Sequence, residues 1–158
     1  MSEIIPIHPL NPQARNIDKV VDCLRKGGLI IYPTDTVYGI GCDLYNSKAI
    51  QRLCRVKGVD PKKMHLSFMC HDLSDLSLYA HQVSTPTFKL MKKALPGAFT
   101  FILKASNKVP KILSTKKKQV GIRVPNHQIP LTLVERLGNP IITSSIKSKD
   151  EILQYMTD

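Results

Sequence analysis

Residues Leu29-Ile30-Ile31-Tyr32 form a run of strand-forming side chains that stops at Pro33. Proline has no amide hydrogen and cannot continue a β-ladder, so a buried strand must end there. Gly27-Gly28 stands just before the run. Glycines close a preceding helix, so the chain reads helix, strand, then loop within about 30 residues. The loop itself is Pro33-Thr34-Asp35-Thr36-Val37-Tyr38-Gly39-Ile40-Gly41. It is too polar for core. Thr34 and Thr36 offer hydroxyls to a small polar ligand, and Gly39 and Gly41 allow a close backbone approach. An ordinary strand-to-helix turn favours the same residue types, so on chemistry alone both readings stand.

The rest of the chain alternates in the same way. Asn11-Pro12 offers a helix start, and Ile17, Val20, Val21 and Leu24 follow as one helical stripe. Ser47 offers a cap for a second helix with Ile50, Leu53 and Cys54 inward. Leu66 to Cys70, Ala98 to Leu103, Val120 to Val124 and Ile141 to Thr143 read as strands. Thr85-Pro86 opens a helix that turns Phe88, Met91 and Leu95 inward. Ile129, Leu133, Val134 and Leu137 form a helical face closed by Gly138, and Glu151 to Met156 reads as a last helix. Alternating strands and helices predict an α/β domain, with helices covering one sheet. At 158 residues the length fits a single domain over residues 1–158.

Composition narrows the function classes. Lysines and arginines number 23 against 12 acids, a net charge of +11. Such an excess concentrates polyanions and points to nucleotides or nucleic acid as partners. The densest cluster is Lys116, Lys117 and Lys118; as a lone cluster it equally fits a solvated loop. No apolar run approaches the roughly 18 residues of a membrane span, and the first residues lack a secretory pattern. The expected location is the cytoplasm, without a membrane partner. Cys23, Cys42, Cys54 and Cys70 show no Cys-x-x-Cys pairing, so they read as reduced thiols, and no metal site is expected.

Tyr32-Pro33-Thr34-Asp35-Thr36-Val37-Tyr38-Gly39-Ile40-Gly41 resembles the signature loop of the YrdC/YciO family of threonylcarbamoyl-adenylate synthases and their relatives. Pro96-Gly97-Ala98-Phe99-Thr100, Gly121-Ile122-Arg123-Val124-Pro125 and Pro140-Ile141-Ile142-Thr143-Ser144 match in the same order. Ser67 to Ser74 and Phe99 to Lys104 are most similar to the YciO branch. The resemblance runs from about residue 14 to the end. It implies a twisted mixed sheet with flanking helices around a basic cleft. It also implies a chain lacking the family's C-terminal strands.

The activity it implies joins threonine, bicarbonate and ATP, the last with Mg2+, into threonylcarbamoyl-adenylate for tRNA modification. The resemblance assigns Lys57 and Arg123 as catalytic cations, and Thr34, Thr36, Tyr38, Thr100 and Ser144 as substrate-binding groups. From its own spacing Lys57 lies seven residues after Ile50, on the apolar stripe of its helix. There a lysine either reaches a cleft or simply favours the helix C-terminus. Two departures stand out. Val59 replaces the arginine of the family's Lys-x-Arg pair, and Ser145-Ile146 replaces Ala-Asn after Thr143-Ser144. Lys62 or Lys63 can supply charge in place of that arginine, but not its two-pronged fork. Lys62, Lys63 and Lys116 to Lys118 are the nucleic-acid-binding candidates. Two functions follow: a synthase-type protein binding nucleotide and RNA, or a catalytically weak, YciO-like double-stranded RNA-binding protein.

Overall fold

The structure is a computed structural model and describes residues 2–60, 66–113 and 118–146. Helix α1 (Ala14–Arg25) leads into β1 (Ile30–Tyr32), β2 (Gly39–Asp43) and α2 (Ser47–Lys57). Then come β3 (Ser67–Met69), a single turn α3 (Leu76–Tyr79), α4 (Thr85–Ala94), β4 (Phe101–Lys104), β5 (Gln119–Arg123), α5 (Gln128–Leu137) and β6 (Ile141–Ser145). The six strands form one sheet in the order β1-β2-β6-β3-β5-β4. Only β3 and β5 run parallel; the other neighbours are antiparallel. The sheet is therefore mixed, as expected.

Two cores sandwich it. On one face α1 and α5 pack Ile17, Val20, Val21, Leu24, Ile129, Leu133, Val134 and Leu137 onto Tyr32, Met69 and Ile141. Both predicted helical stripes are thus buried. On the other face Ile50, Leu53, Cys54 and Met91 pack against Ile40, Cys42, Phe68, Ile122 and Ile142. Phe68 and Tyr79 meet edge to face there, with centroids 5.4 Å apart.

Several boundaries differ from the sequence reading. The first helix begins at Ala14 with Gln13 as its N-cap, not at Asn11-Pro12. Asn46, not Ser47, caps α2, accepting the Ala49 amide. An Asn and a Ser side by side offer equivalent oxygens, and the extended backbone falls on Asn46. Strand β4 starts at Phe101 rather than Ala98. The main correction is β2. Gly39 and Gly41 lie in a buried strand between β1 and β6, not in a ligand loop. What they admit is the protein's own Tyr32 ring rather than a ligand. The predicted helix Glu151–Met156 lies outside the described residues.

All four cysteines are free thiols. Burial pushes Cys42 and Cys70 up to about 12 and raises Cys54 as well. At pH 8 a thiol at 12 is ionised in about one molecule in ten thousand, and only the thiolate reacts. Cys23 is half-buried. A chromogenic disulfide reagent at pH 8 should find one fast thiol, Cys23, and four after denaturation. Four equally fast thiols would contradict this packing.

Candidate functional site

Partners in a ladder share a face, so the register places the site residues. Tyr32, Gly39, Gly41, Thr143, Ser67, Gly121 and Arg123 all lie on the α1/α5 face. Between β1 and β5 this face is floored by small residues. A methyl at Gly121 would stand 3.2 Å from Thr100 Cγ2 and 3.3 Å from Ser67 Oγ, so Thr100 adjoins that floor.

The segment 33–38, between β1 and β2, behaves as a strap. It leaves the edge strand β1, yet its side chains are held by Arg123 at the end of β5, with β2, β6 and β3 in between. Arg123 Nη2 donates to Asp35 Oδ1 at 2.9 Å, Thr36 Oγ1 at 2.8 Å and Thr34 Oγ1 at 3.4 Å. Asp35 Oδ2 accepts the Asn126 amide at 2.9 Å. The Arg123 and Asp35 side chains are each only 12% exposed. A charge-assisted pair this shielded is stronger than its surface counterparts. Thr34 Oγ1 also donates to Val37 O at 2.6 Å and accepts the Thr36 amide. Since that proton goes to Val37, Thr36 supplies the proton of the Thr34–Thr36 contact. The hydroxyls first build the strap and seat Arg123.

The strap's root is fixed below. The Tyr32 hydroxyl bonds Thr143 Oγ1, both residues being buried. Burial pushes the Tyr32 phenol well above its usual range, which keeps it neutral. At the other end Ile146 N donates to Tyr38 O, and Tyr38 itself is half-exposed. Lys57, the last residue of α2, donates from Nζ to Ser145 O at 2.9 Å. Ser145 pairs with Gly39, where the strap returns to the sheet. Lys57 and Arg123 therefore flank the same strap, but they are not adjacent. By register Ser145 and Arg123 are offset by about 13 Å along the strands and about 10 Å across them.

Ser144 pairs with Ile40 and lies on the opposite face from Arg123. Ile146 is 4% exposed within the core on that face. Val59 is exposed. Lys62, Lys63, Lys116 and Lys117 lie outside the described residues. Lys118 is exposed and lines a cavity of about 550 Å³ at the β4–β5 edge, with His81, Ser106, Asn107, Lys111 and Gln119. Sequence reasoning missed Asp35 as a structural partner and Tyr32–Thr143 as the anchor.

Residues 22–158 match the Sua5/YciO/YrdC family, described as telomere recombination. The chain belongs to that family. Its relatives include the uncharacterized protein YciO of Escherichia coli K12, 44% identical over 147 residues, which are 92% of this chain and 70% of YciO. The crystal structure of E. coli YciO superposes with a TM-score of 0.87, covering 94% of this chain and 72% of that one. A threonylcarbamoyl-AMP synthase of Saccharophagus degradans is 31% identical, over 83% of this chain and 70% of that protein. The Pyrococcus abyssi Sua5 structure complexed with L-threonine has a TM-score of 0.84 at 28% identity, covering 91% of this chain and 42% of the larger one. Among the described residues no helix is long and apolar enough to cross a membrane.

Proposed function

We propose that this chain binds a threonine-like amino acid and a nucleotide beneath the 33–38 strap, in the manner of a threonylcarbamoyl-adenylate synthase. The observation that carries the reading is Arg123, a shielded guanidinium held against the strap beside a floor of small residues. A guanidinium with donors left over beyond Nη2 suits a carboxylate. Lys57, at the strap's far end, would meet the phosphates of ATP, which arrives with Mg2+. Thr34, Thr36 and Tyr38 shape the ligand's cover, and Thr100 supplies a hydroxyl; Ser144, on the opposite face of the sheet, has no part in this pocket. In the proposed reaction the threonine amine adds to the bicarbonate carbon and water leaves. The carbamate oxygen then attacks the α-phosphorus and pyrophosphate departs. Nothing here needs a covalent nucleophile; positioning and charge stabilisation suffice.

A second reading is favoured by Val59 and Ile146. They replace a forked cation and an amide, and Ile146 is buried in the core instead. A protein so altered would keep anion binding and lose synthesis. With a charge of +11, it would hold double-stranded RNA electrostatically.

The test incubates protein with ATP, L-threonine and bicarbonate and measures pyrophosphate and adenylate. The first reading expects product, reduced at least tenfold by Lys57→Ala. No product, together with RNA binding that falls steeply with salt, would select the second. Neither product nor ligand nor RNA binding would overturn both.

A further inference from the structure

Asp35 is out of place in a site for anions. A carboxylate beside such a site repels the ligand it should attract. Yet this one is 12% exposed and has both oxygens engaged. Oδ1 takes Arg123 Nη2 and Oδ2 takes the Asn126 amide, so one side chain ties the strap to β5 and to the loop that follows β5. The Asn126 bond matters because it stops the carboxylate from turning with the arginine. All three Arg123 hydrogen bonds leave from Nη2, and among the described residues Nη1 and Nε make none.

We propose that Asp35 is a positioning residue: it fixes the plane of the Arg123 guanidinium so that the remaining Nη1 donors are set for a ligand carboxylate. The proposal rests on the reading of the strap as a ligand site. An arginine has many rotamers, and one already locked loses little freedom when it meets its ligand. The three residues that hold Nη2 are consecutive, Thr34 to Thr36, so the strap and the guanidinium are set together.

The competing role has the opposite sign. If Asp35 were only a nearby negative charge, Asp35→Asn would tighten binding of an anion. If it positions Arg123, Asp35→Asn weakens it, because an amide cannot accept at both Arg123 and Asn126. Asp35→Glu separates charge from geometry: it keeps the charge but displaces the guanidinium by a methylene length, and it too should weaken binding.

The experiment titrates L-threonine and L-threoninamide into wild type, Asp35→Asn and Asp35→Glu by calorimetry. It also records the arginine side-chain nitrogen resonances of the free proteins, with Arg123 assigned by the signals lost in Arg123→Lys. The wild type should show separate, slowly exchanging Nη signals for Arg123, and both Asp35 variants should average them. L-Threonine affinity should fall tenfold or more in both, and threoninamide affinity should change less than twofold. Averaged Nη signals in the wild type would overturn the proposal, as would undiminished L-threonine affinity in either variant. The nitrogen signals need no ligand and can be read on the wild type alone. Failure of the wild type to bind L-threonine with its guanidinium locked would therefore overturn the ligand reading and leave the Asp35 brace standing.

Discussion

Arg123→Ala should lower the stability of the domain by about 2–3 kcal/mol and abolish binding of L-threonine. Removing one partner of a buried ion pair strands the other and typically costs 3–5 kcal/mol. Here the strap can relax and let Asp35 turn towards water, which lowers the expected cost. For a domain of this size the loss corresponds to a melting temperature about 6–9 °C lower. The molecule contains its own control. Arg136 meets Asp18 at 2.7 Å, shorter than the Arg123–Asp35 contact, but both side chains are 51% exposed. Exposure, not distance, decides between them, so Arg136→Ala should cost under about 1 kcal/mol. A double-mutant cycle closes the argument. Asp35→Ala with Arg123→Ala should cost less than the sum of the two single changes, because neither charge is then left without its partner. Equal melting shifts for Arg123→Ala and Arg136→Ala would show that the strap contact is solvated and contributes nothing special.

Why was Arg123 legible in the sequence while Asp35 was not? Arg123 closes a strand and sits in Gly121-Ile122-Arg123-Val124-Pro125, one of the stretches that carry the resemblance. Asp35 is one acid in a polar loop, and its partner is 88 residues away. Nothing local marks such a pair. The helices were legible for the opposite reason. Ile17, Val20, Val21 and Leu24 carry their own period of 3.6, and all four are buried. Turn α3 has four residues, too few for any period. Strand β2 is the instructive failure. Gly39-Ile40-Gly41-Cys42-Asp43 has little strand propensity, and its two glycines read as loop. The signal was in the alternation: Ile40, Cys42 and Leu44 are apolar at every second position, and all three are buried in the core. The opposite face lacked side chains because Tyr32 lies against it.

That last point makes Gly41 a sharp test of how the site is built. A methyl at Gly41 would stand 2.7 Å from Ile141 Cγ2, 2.8 Å from Ile142 O and 3.3 Å from the Tyr32 ring. At Gly39 it would meet the Tyr32 hydroxyl at 2.9 Å and Thr143 Oγ1 at 3.1 Å. The two glycines are thus the bed on which the tyrosine ring lies to reach Thr143. One neighbour of Gly41 is backbone, in a strand paired on both sides, and cannot step back without opening the β2–β6 ladder. Overpacking of this kind costs about 1–3 kcal/mol, occasionally more. The stiffer unfolded chain returns less than about 1 kcal/mol. Gly41→Ala should therefore destabilise the domain by about 2–3 kcal/mol, read as a melting shift comparable to that of Arg123→Ala. Gly58 supplies the contrast, for its φ is 67° and a methyl there meets nothing within 4 Å. Gly58→Ala should cost only the left-handed backbone penalty, about 1 kcal/mol. If Gly41→Ala proved the milder change, the tyrosine would not be lying on β2, and the strap would have to be rooted by something other than the Tyr32–Thr143 bond.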